Sequence, residues 1–204
     1  GHVYMDGVEV HGADVKAMEK AGVFLVTQEP MIIDNMSAAE NLMLGIWPEH
    51  RGFVDWKRMR AEAARMLERS GIAADAMAGR LDAVARRKLN ILRAMYSGGR
   101  VIILDEPTAA LTVADRDILF DFMRRLKKEG VTFVFISHYN DEILDICDAV
   151  SVLRDGALAG GSEDVSNLSS TGLSELVLGR GRRHVCPLAL EKLEPAPQNQ
   201  LRKP

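Results

Sequence analysis

The sequence predicts an α/β fold, and three consecutive segments carry that expectation. Val101-Ile102-Ile103-Leu104 is an unbroken apolar run, as a strand buried on both faces of a parallel sheet requires. Residues 115–129 place Leu119, Phe122, Met123 and Leu126 on one helical stripe and stop at Gly130. A second apolar strand, 131–136, follows, so the helix must cross back over a sheet that both strands share.

The other elements follow in chain order. Val3-Tyr4-Met5 and Val8-Glu9-Val10 flank Asp6-Gly7, a dipeptide that supplies the backbone angles of a tight hairpin. A short helix over 14–21 leads into an apolar strand, Val23 to Val26. From Trp56 to Ser70 the apolar residues Met59, Ala63, Met66 and Leu67 share a face, with Asp55 as N-cap and Gly71 as the stop. A further helix is expected from Asp82 to Tyr96, burying Leu89, Leu92 and Met95 or Tyr96. After 136, a strand over 149–153 enters the Asp155-Gly156 turn and a hairpin partner. Four of the seven prolines lie beyond Gly179, where periodicity fades, and 180–204 reads as a linker or disordered tail.

Composition narrows the function. With 204 residues, 47% hydrophobic and 27% charged, the chain can bury a real core, which excludes a disordered or collagen-like protein. A formal net charge of −3 gives no global reason to expect a nucleic-acid partner. The two cysteines, Cys147 and Cys186, are far apart and without metal-ligand spacing, so neither a disulfide framework nor a zinc site is indicated. No apolar run reaches the roughly 20 residues that a membrane span needs. A soluble protein of the reducing cytosol is the expectation.

The chemistry gathers at strand ends. The strand at 101 runs into Asp105-Glu106-Pro107-Thr108, which puts two carboxylates at the carboxyl edge of the sheet, where open α/β folds bind ligands. One carboxylate there can hold a hydrated Mg²⁺ and the next can polarise a water; the alternative is that the pair caps the helix near Thr112. The strand ending at Ile136 is followed by Ser137-His138, an imidazole able to contact a phosphate, or an ordinary loop histidine. The strand ending at Val26 is followed by Thr27-Gln28-Glu29-Pro30, an amide at a third strand end.

Taken together, Gln28, Asp105-Glu106 with Pro107-Thr108, Ala110-Leu111-Thr112 and Ile136-Ser137-His138 resemble the Q-loop, Walker B, D-loop and H-loop of an ABC-type ATPase, in the family's order and spacing. Gln28-Glu29, Ser37-Ala38-Ala39-Glu40-Asn41 with Leu44-Gly45, and Ile146-Cys147-Asp148 with Arg154-Asp155-Gly156 are similar more narrowly to the first ATP-binding half of tandem sugar-importer ATPases. The resemblance covers residues 1–179 and implies a P-loop NTPase-like domain: a mainly parallel sheet, an antiparallel β part, and a helical subdomain at about 40–98. It implies that Asp105 and Gln28 serve Mg²⁺ and its waters, that Glu106 is the general base and that His138 binds the γ-phosphate of ATP. Ala110 to Thr112 would lie at a dimer seam.

Two departures from the family pattern stand out. None of the eight lysines follows a glycine, so the GxxxxGK[ST] loop that wraps phosphates is missing from these residues, and the chain is expected to begin downstream of it. The signature that serves the opposite nucleotide, usually LSxGQ, aligns with Leu81-Asp82-Ala83-Val84-Ala85. Asp82 sets a carboxylate where a hydroxyl would face phosphate, and Val84 a branched side chain where glycine would allow close approach. Asp82 reads more readily as a helix N-cap, a role in which it is excellent.

Residues 57–100 hold eleven Lys or Arg against four Asp or Glu. The resemblance turns this region toward a membrane-embedded partner or anionic lipid; the plainer reading is a solvated helix face. A DNA-repair ATPase would insert a long coiled coil between Gln28 and Leu81, and no sustained heptads fit in 29–80. The expected function is thus the ATP-binding subunit of a carbohydrate importer, working with a second ATP-binding half and permease subunits on the inner face of the membrane. Hydrolysis by this chain alone is not expected, and the alternative is a structural or regulatory half that binds no nucleotide.

Overall fold

The structure is a computed structural model that describes residues 2–179, so the expected tail over 180–204 lies outside the described residues. The described residues form two compact units: residues 14–136, and residues 2–13 with 137–179.

The larger unit is built on three parallel strands. β3 (Val23–Val26), β6 (Val101–Asp105) and β7 (Thr132–Ile136) lie side by side with β6 in the middle. Val26 pairs with Leu104, Leu104 with Phe135, and Asp105 with Ile136, so all three strands end at one edge. α5 (Val113–Lys128) makes the crossover from β6 to β7; Thr112 and Asp115 form a capping box at its start, and Leu119, Phe120, Phe122, Met123 and Leu126 are buried.

The strands depart from the expectation of burial on both faces. Ile102 and Leu104 are fully buried, while Ile103 is half-buried and Leu25, Val134 and Ile136 on the same face are exposed. An apolar run without alternation cannot distinguish a covered face from an open one.

A helical layer fills the stretch between β3 and β6. α1 (Val15–Lys20) precedes β3, and α2 (Ala38–Leu42) opens with a capping box in which Ser37 and Glu40 satisfy each other's backbone donors. These Ser37 contacts hold the Glu40 carboxyl below the usual carboxylate range. A hairpin that the sequence reading passed over, β4 (Glu49–His50) and β5 (Phe53–Val54), turns through Arg51-Gly52 with both φ values positive. α3 (Trp56–Leu67) starts at the Asp55 N-cap, continues into a 3-10 turn over Glu68–Ser70 and stops at left-handed Gly71.

α4 (Ala83–Tyr96) is the centre of this unit, packing against α2, α3, α5 and β3. Leu89, Ile91 and Leu92 are buried as an interior helix requires, whereas Met95 and Tyr96 are half-buried. The Tyr96 hydroxyl donates to Glu62 Oε2 on α3 at 3.1 Å.

The smaller unit holds two antiparallel hairpins, β1 (Tyr4–Met5) with β2 (Val8–Glu9), and β8 (Val150–Arg154) with β9 (Ala157–Ser162). Both turn on the expected Asp-Gly pairs with positive φ. Gly161 in β9 is obligatory: a Cβ there would sit 2.3 Å from the Val150 carbonyl oxygen. α6 (Asn140–Ile146) and α7 (Ser170–Leu178) pack together, with Asn140 Nδ2 donating to Ser174 Oγ at 2.7 Å. Among the described residues no helix is long and apolar enough to cross a membrane.

Burial sets the scale of what packing contributes. Leu92→Ala, at a fully buried position, is expected to lose about 2–5 kcal/mol in urea denaturation. Leu25→Ala, in an equally apolar strand but 62% exposed, should lose under about 1 kcal/mol.

Candidate functional site

Parallel pairing is what assembles the candidate site. With Val26 level with Leu104, the chain leaves β3 into Thr27-Gln28 beside the place where β6 ends in Asp105 and runs into Glu106. Neighbouring strands are about 4.8 Å apart, so the two segments emerge together at one edge. Asp105 and Glu106 are half-buried and Gln28 is exposed.

Asp105 closes β6, and among the described residues its carboxylate has no hydrogen-bond or ion-pair partner. Half-buried at the strand end, its acceptors are open to water or to a ligand. Among the described residues no cluster of three or more His, Cys, Asp or Glu could hold a metal ion. Mg²⁺ does not require such a cage: it keeps several waters and takes one or two carboxylates together with substrate phosphates. A partnerless aspartate at a strand end fits that demand.

Glu106 adopts φ 42°, in the left-handed region that a residue with a Cβ enters at a cost. Its surroundings hold it there. The Glu106 amide donates to the Ile136 carbonyl at 3.0 Å, Pro107 and Thr108 beyond it are buried, and the Ala109 amide turns back to the Glu106 carbonyl at 3.3 Å. The backbone thereby leaves the strand line at the edge where β3, β6 and β7 all end.

His138 belongs to the smaller unit. Its exposed ring lies against Tyr139, with centroids 4.0 Å apart. Ser137 organises this turn, donating to Glu142 Oε2 at 2.8 Å while accepting from the Tyr139 amide at 3.1 Å.

Of the residues aligned with the signature, Asp82 is the N-cap of α4, its Oδ1 accepting from the Ala85 amide at 2.7 Å. Val84 is only 5% exposed, so its branched side chain faces the core; Leu81 is half-buried.

Sequence reading missed Arg87. It was counted within a basic run taken for a solvated face or a partner surface, yet it is 5% exposed. Nη1 donates to the Thr27 carbonyl at 2.7 Å and Nη2 to the Gln28 carbonyl, so the guanidinium fastens the Gln28 segment to α4. Burial lowers its pKa from the ordinary arginine value. A signal was present: Val84, Arg87, Lys88, Ile91 and Leu92 recur at i, i+3, i+4, i+7 and i+8, the spacing of a buried stripe.

Two substitutions probe this geometry. Because both lose the carboxylate, Glu106→Gly should exceed Glu106→Ala in stability by about 1 kcal/mol, the cost of a Cβ at positive φ, in paired urea titrations. Arg87→Met should cost about 1–3 kcal/mol, because the Thr27 and Gln28 carbonyls lose a charged donor.

Comparison with known proteins agrees with this layout. A sequence model of the family described as ABC transporter matches residues 1–109. The chain is 40% identical over 166 residues to a ribose import ATP-binding protein of Chromobacterium violaceum, covering 80% of this chain and 33% of that protein. It is 32% identical over 190 residues to a xylose import ATP-binding protein of Brucella abortus, covering 92% of this chain and 37% of that one. The chain thus spans about a third of the length of these relatives. Among solved structures it is similar to an ATP-binding cassette of an ABC transporter in its ADP conformation, with TM-score 0.72 and 23% identity over 88% of this chain and 77% of the other. A nucleotide-free cassette gives TM-score 0.68 and 23% identity over 80% and 70%. With more than half of its residues matched by the family model and the same fold in solved cassettes, the chain belongs to the ABC transporter family.

Proposed function

We propose that the chain is part of the ATP-binding motor of a carbohydrate importer, acting with a second ATP-binding half and with membrane permease subunits that hold it at the inner face of the membrane. The names of its ribose and xylose import relatives support the substrate class. The observation that carries the catalytic part of the reading is the Asp105 carboxylate at the end of a central parallel strand, without a partner among the described residues, followed by Glu106 in a left-handed conformation. A nucleic-acid role is disfavoured because α2, the β4–β5 hairpin and α3 occupy the region where a coiled coil would be inserted.

In this reading Asp105 and Gln28 hold Mg²⁺ and its waters, Glu106 accepts the proton of the attacking water, and His138 contacts the γ-phosphate. The metal supplies charge neutralisation on the phosphates, and the side chains supply position and proton acceptance, which is most of what phosphoryl transfer needs. His138 is assigned by motif order alone.

The same reading makes these 204 residues by themselves poor at binding nucleotide, since no Gly-Lys pair supplies backbone donors and a lysine to the phosphates. Calorimetry on the chain should give a MgATP dissociation constant weaker than about 1 mM, and micromolar affinity would contradict it. Asp82 adds a second obstacle, a carboxylate facing the partner's phosphates. Asp82→Ser keeps an N-cap while removing the charge and should strengthen ATP-dependent association with a partner half. Val84→Gly is unsuitable beside it, because removing a buried valine leaves a cavity in the core. Unchanged association with Asp82→Ser favours the alternative, a structural or regulatory half that binds no nucleotide.

A further inference from the structure

Lys88, one residue beyond Arg87 on α4, is 8% exposed. Among the described residues its ammonium has no hydrogen bond and no ion pair; its contact is with the Phe122 ring, whose centroid lies 5.6 Å from Nζ. Arg125 approaches the same ring at 6.0 Å, adding a like charge rather than a counter-ion. Burial and Arg125 both lower the Lys88 pKa, and Asp82 only partly offsets them. Lysine ammonium groups are rarely buried without an acceptor, and unmet donors are costly.

Lys88 lines a cavity of about 410 Å³ between the turn after α3 and the first turns of α4 and α5. That volume is within the roughly 300–1,000 Å³ of small-ligand pockets. Ile72, Val84 and Ile118 give it apolar walls. Two carboxylates also line it, but both are engaged in helix capping: Asp82 accepts from the Ala85 amide at 2.7 Å and Asp115 from the Thr112 hydroxyl at 2.7 Å. They repel a multiply charged anion more than a singly charged one. Arg80 at the rim adds a second positive charge.

We propose that this cavity is a binding site for a small organic monocarboxylate, its head on the Lys88 ammonium and its carbon skeleton against Ile72, Val84 and Ile118. The site is separate from the sheet edge that carries Asp105, but it shares Leu81, Asp82 and Val84 with the signature-like turn.

The test uses the full chain with butyrate as the probe. Acetic anhydride labels lysines, and peptide mass spectrometry reads each position. Butyrate should slow acetylation of Lys88 while Lys16 and Lys57, both exposed, react as before. Butanol, with the same skeleton and no charge, should protect at least about tenfold less well at equal concentration. By calorimetry Lys88→Met should weaken butyrate binding by about tenfold or more. If that variant does not fold, the labelling of the unaltered chain decides. Lys88 unreactive in the absence of ligand would overturn the site as inaccessible, and equal protection by butanol would overturn the charge recognition. Protection by inorganic phosphate or MgATP better than by butyrate would also overturn it, reassigning the cavity to phosphate chemistry.

Discussion

Sheet register alone fixes where β3 ends, but what holds the residues after it is a set of side chains from α2 and α4. Arg87 bonds the carbonyls of Thr27 and Gln28, Arg93 Nη1 bonds the Met31 carbonyl at 3.2 Å, and Arg86 pairs with Asp34 at 2.9 Å. Asn41, buried in α2, clasps Ile33 from both sides, accepting from its amide at 2.8 Å and donating to its carbonyl at 3.0 Å. An irregular segment leaves backbone groups unmet unless something else meets them. Here three of the donors come from one helix, the helix that begins at Asp82. The Gln28 segment and the signature-like turn are therefore parts of one hydrogen-bonded body, and a shift of α4 along its axis would strain the carbonyls at 27 and 28 first.

That dependence explains what could and could not be read from the chain. Two helix starts were legible because a cap is a local event: Asp55 and Asp82 each accept from a backbone amide three residues on. The Asp-Gly hairpins were legible for the same reason. Strand burial was not, since Val134 and Ile136 are as apolar in sequence as Ile102 and Leu104, and only the third dimension distinguishes a face covered by helices from one left open. The Arg51-Gly52 hairpin escaped because its strands are two residues each, too short for alternation to show. At the candidate site, the residue types at the strand ends were legible, whereas the left-handed backbone of Glu106 was not, since it is imposed by the Ile136 carbonyl and by the buried Pro107-Thr108 turn.

Glu106 also shows how such a site is maintained against its own interest. A glycine would occupy φ 42° with less strain, so the position is kept acidic at a cost of about 1–2 kcal/mol to the folded state. Strain of this kind persists where neighbours over-determine the backbone, and β7 does so directly through Ile136. The neighbouring Asp105 carboxylate is half-buried and, among the described residues, without a hydrogen-bond or ion-pair partner. Neither residue is needed as a helix cap, since α5 already has a complete capping box in Thr112 and Asp115. The proposed role in metal and water handling supplies the reason that capping does not.

The basic excess between residues 57 and 100 is not one surface. Arg87 and Lys88 are buried, and Arg86 and Arg93 spend their donors on backbone carbonyls and on Asp34. Arg58 is neutralised by Glu62 four residues on, at 2.7 Å, and Arg69 by Glu129. What is left for solvent or for a membrane partner is a smaller set, Lys57, Arg60 and Arg65 on α3 among them, all exposed. A partner that reads charge would therefore meet α3 rather than α4. Two charges of α4 are directed inward: Arg87 fixes the Gln28 segment, and Lys88 has no acceptor among the described residues.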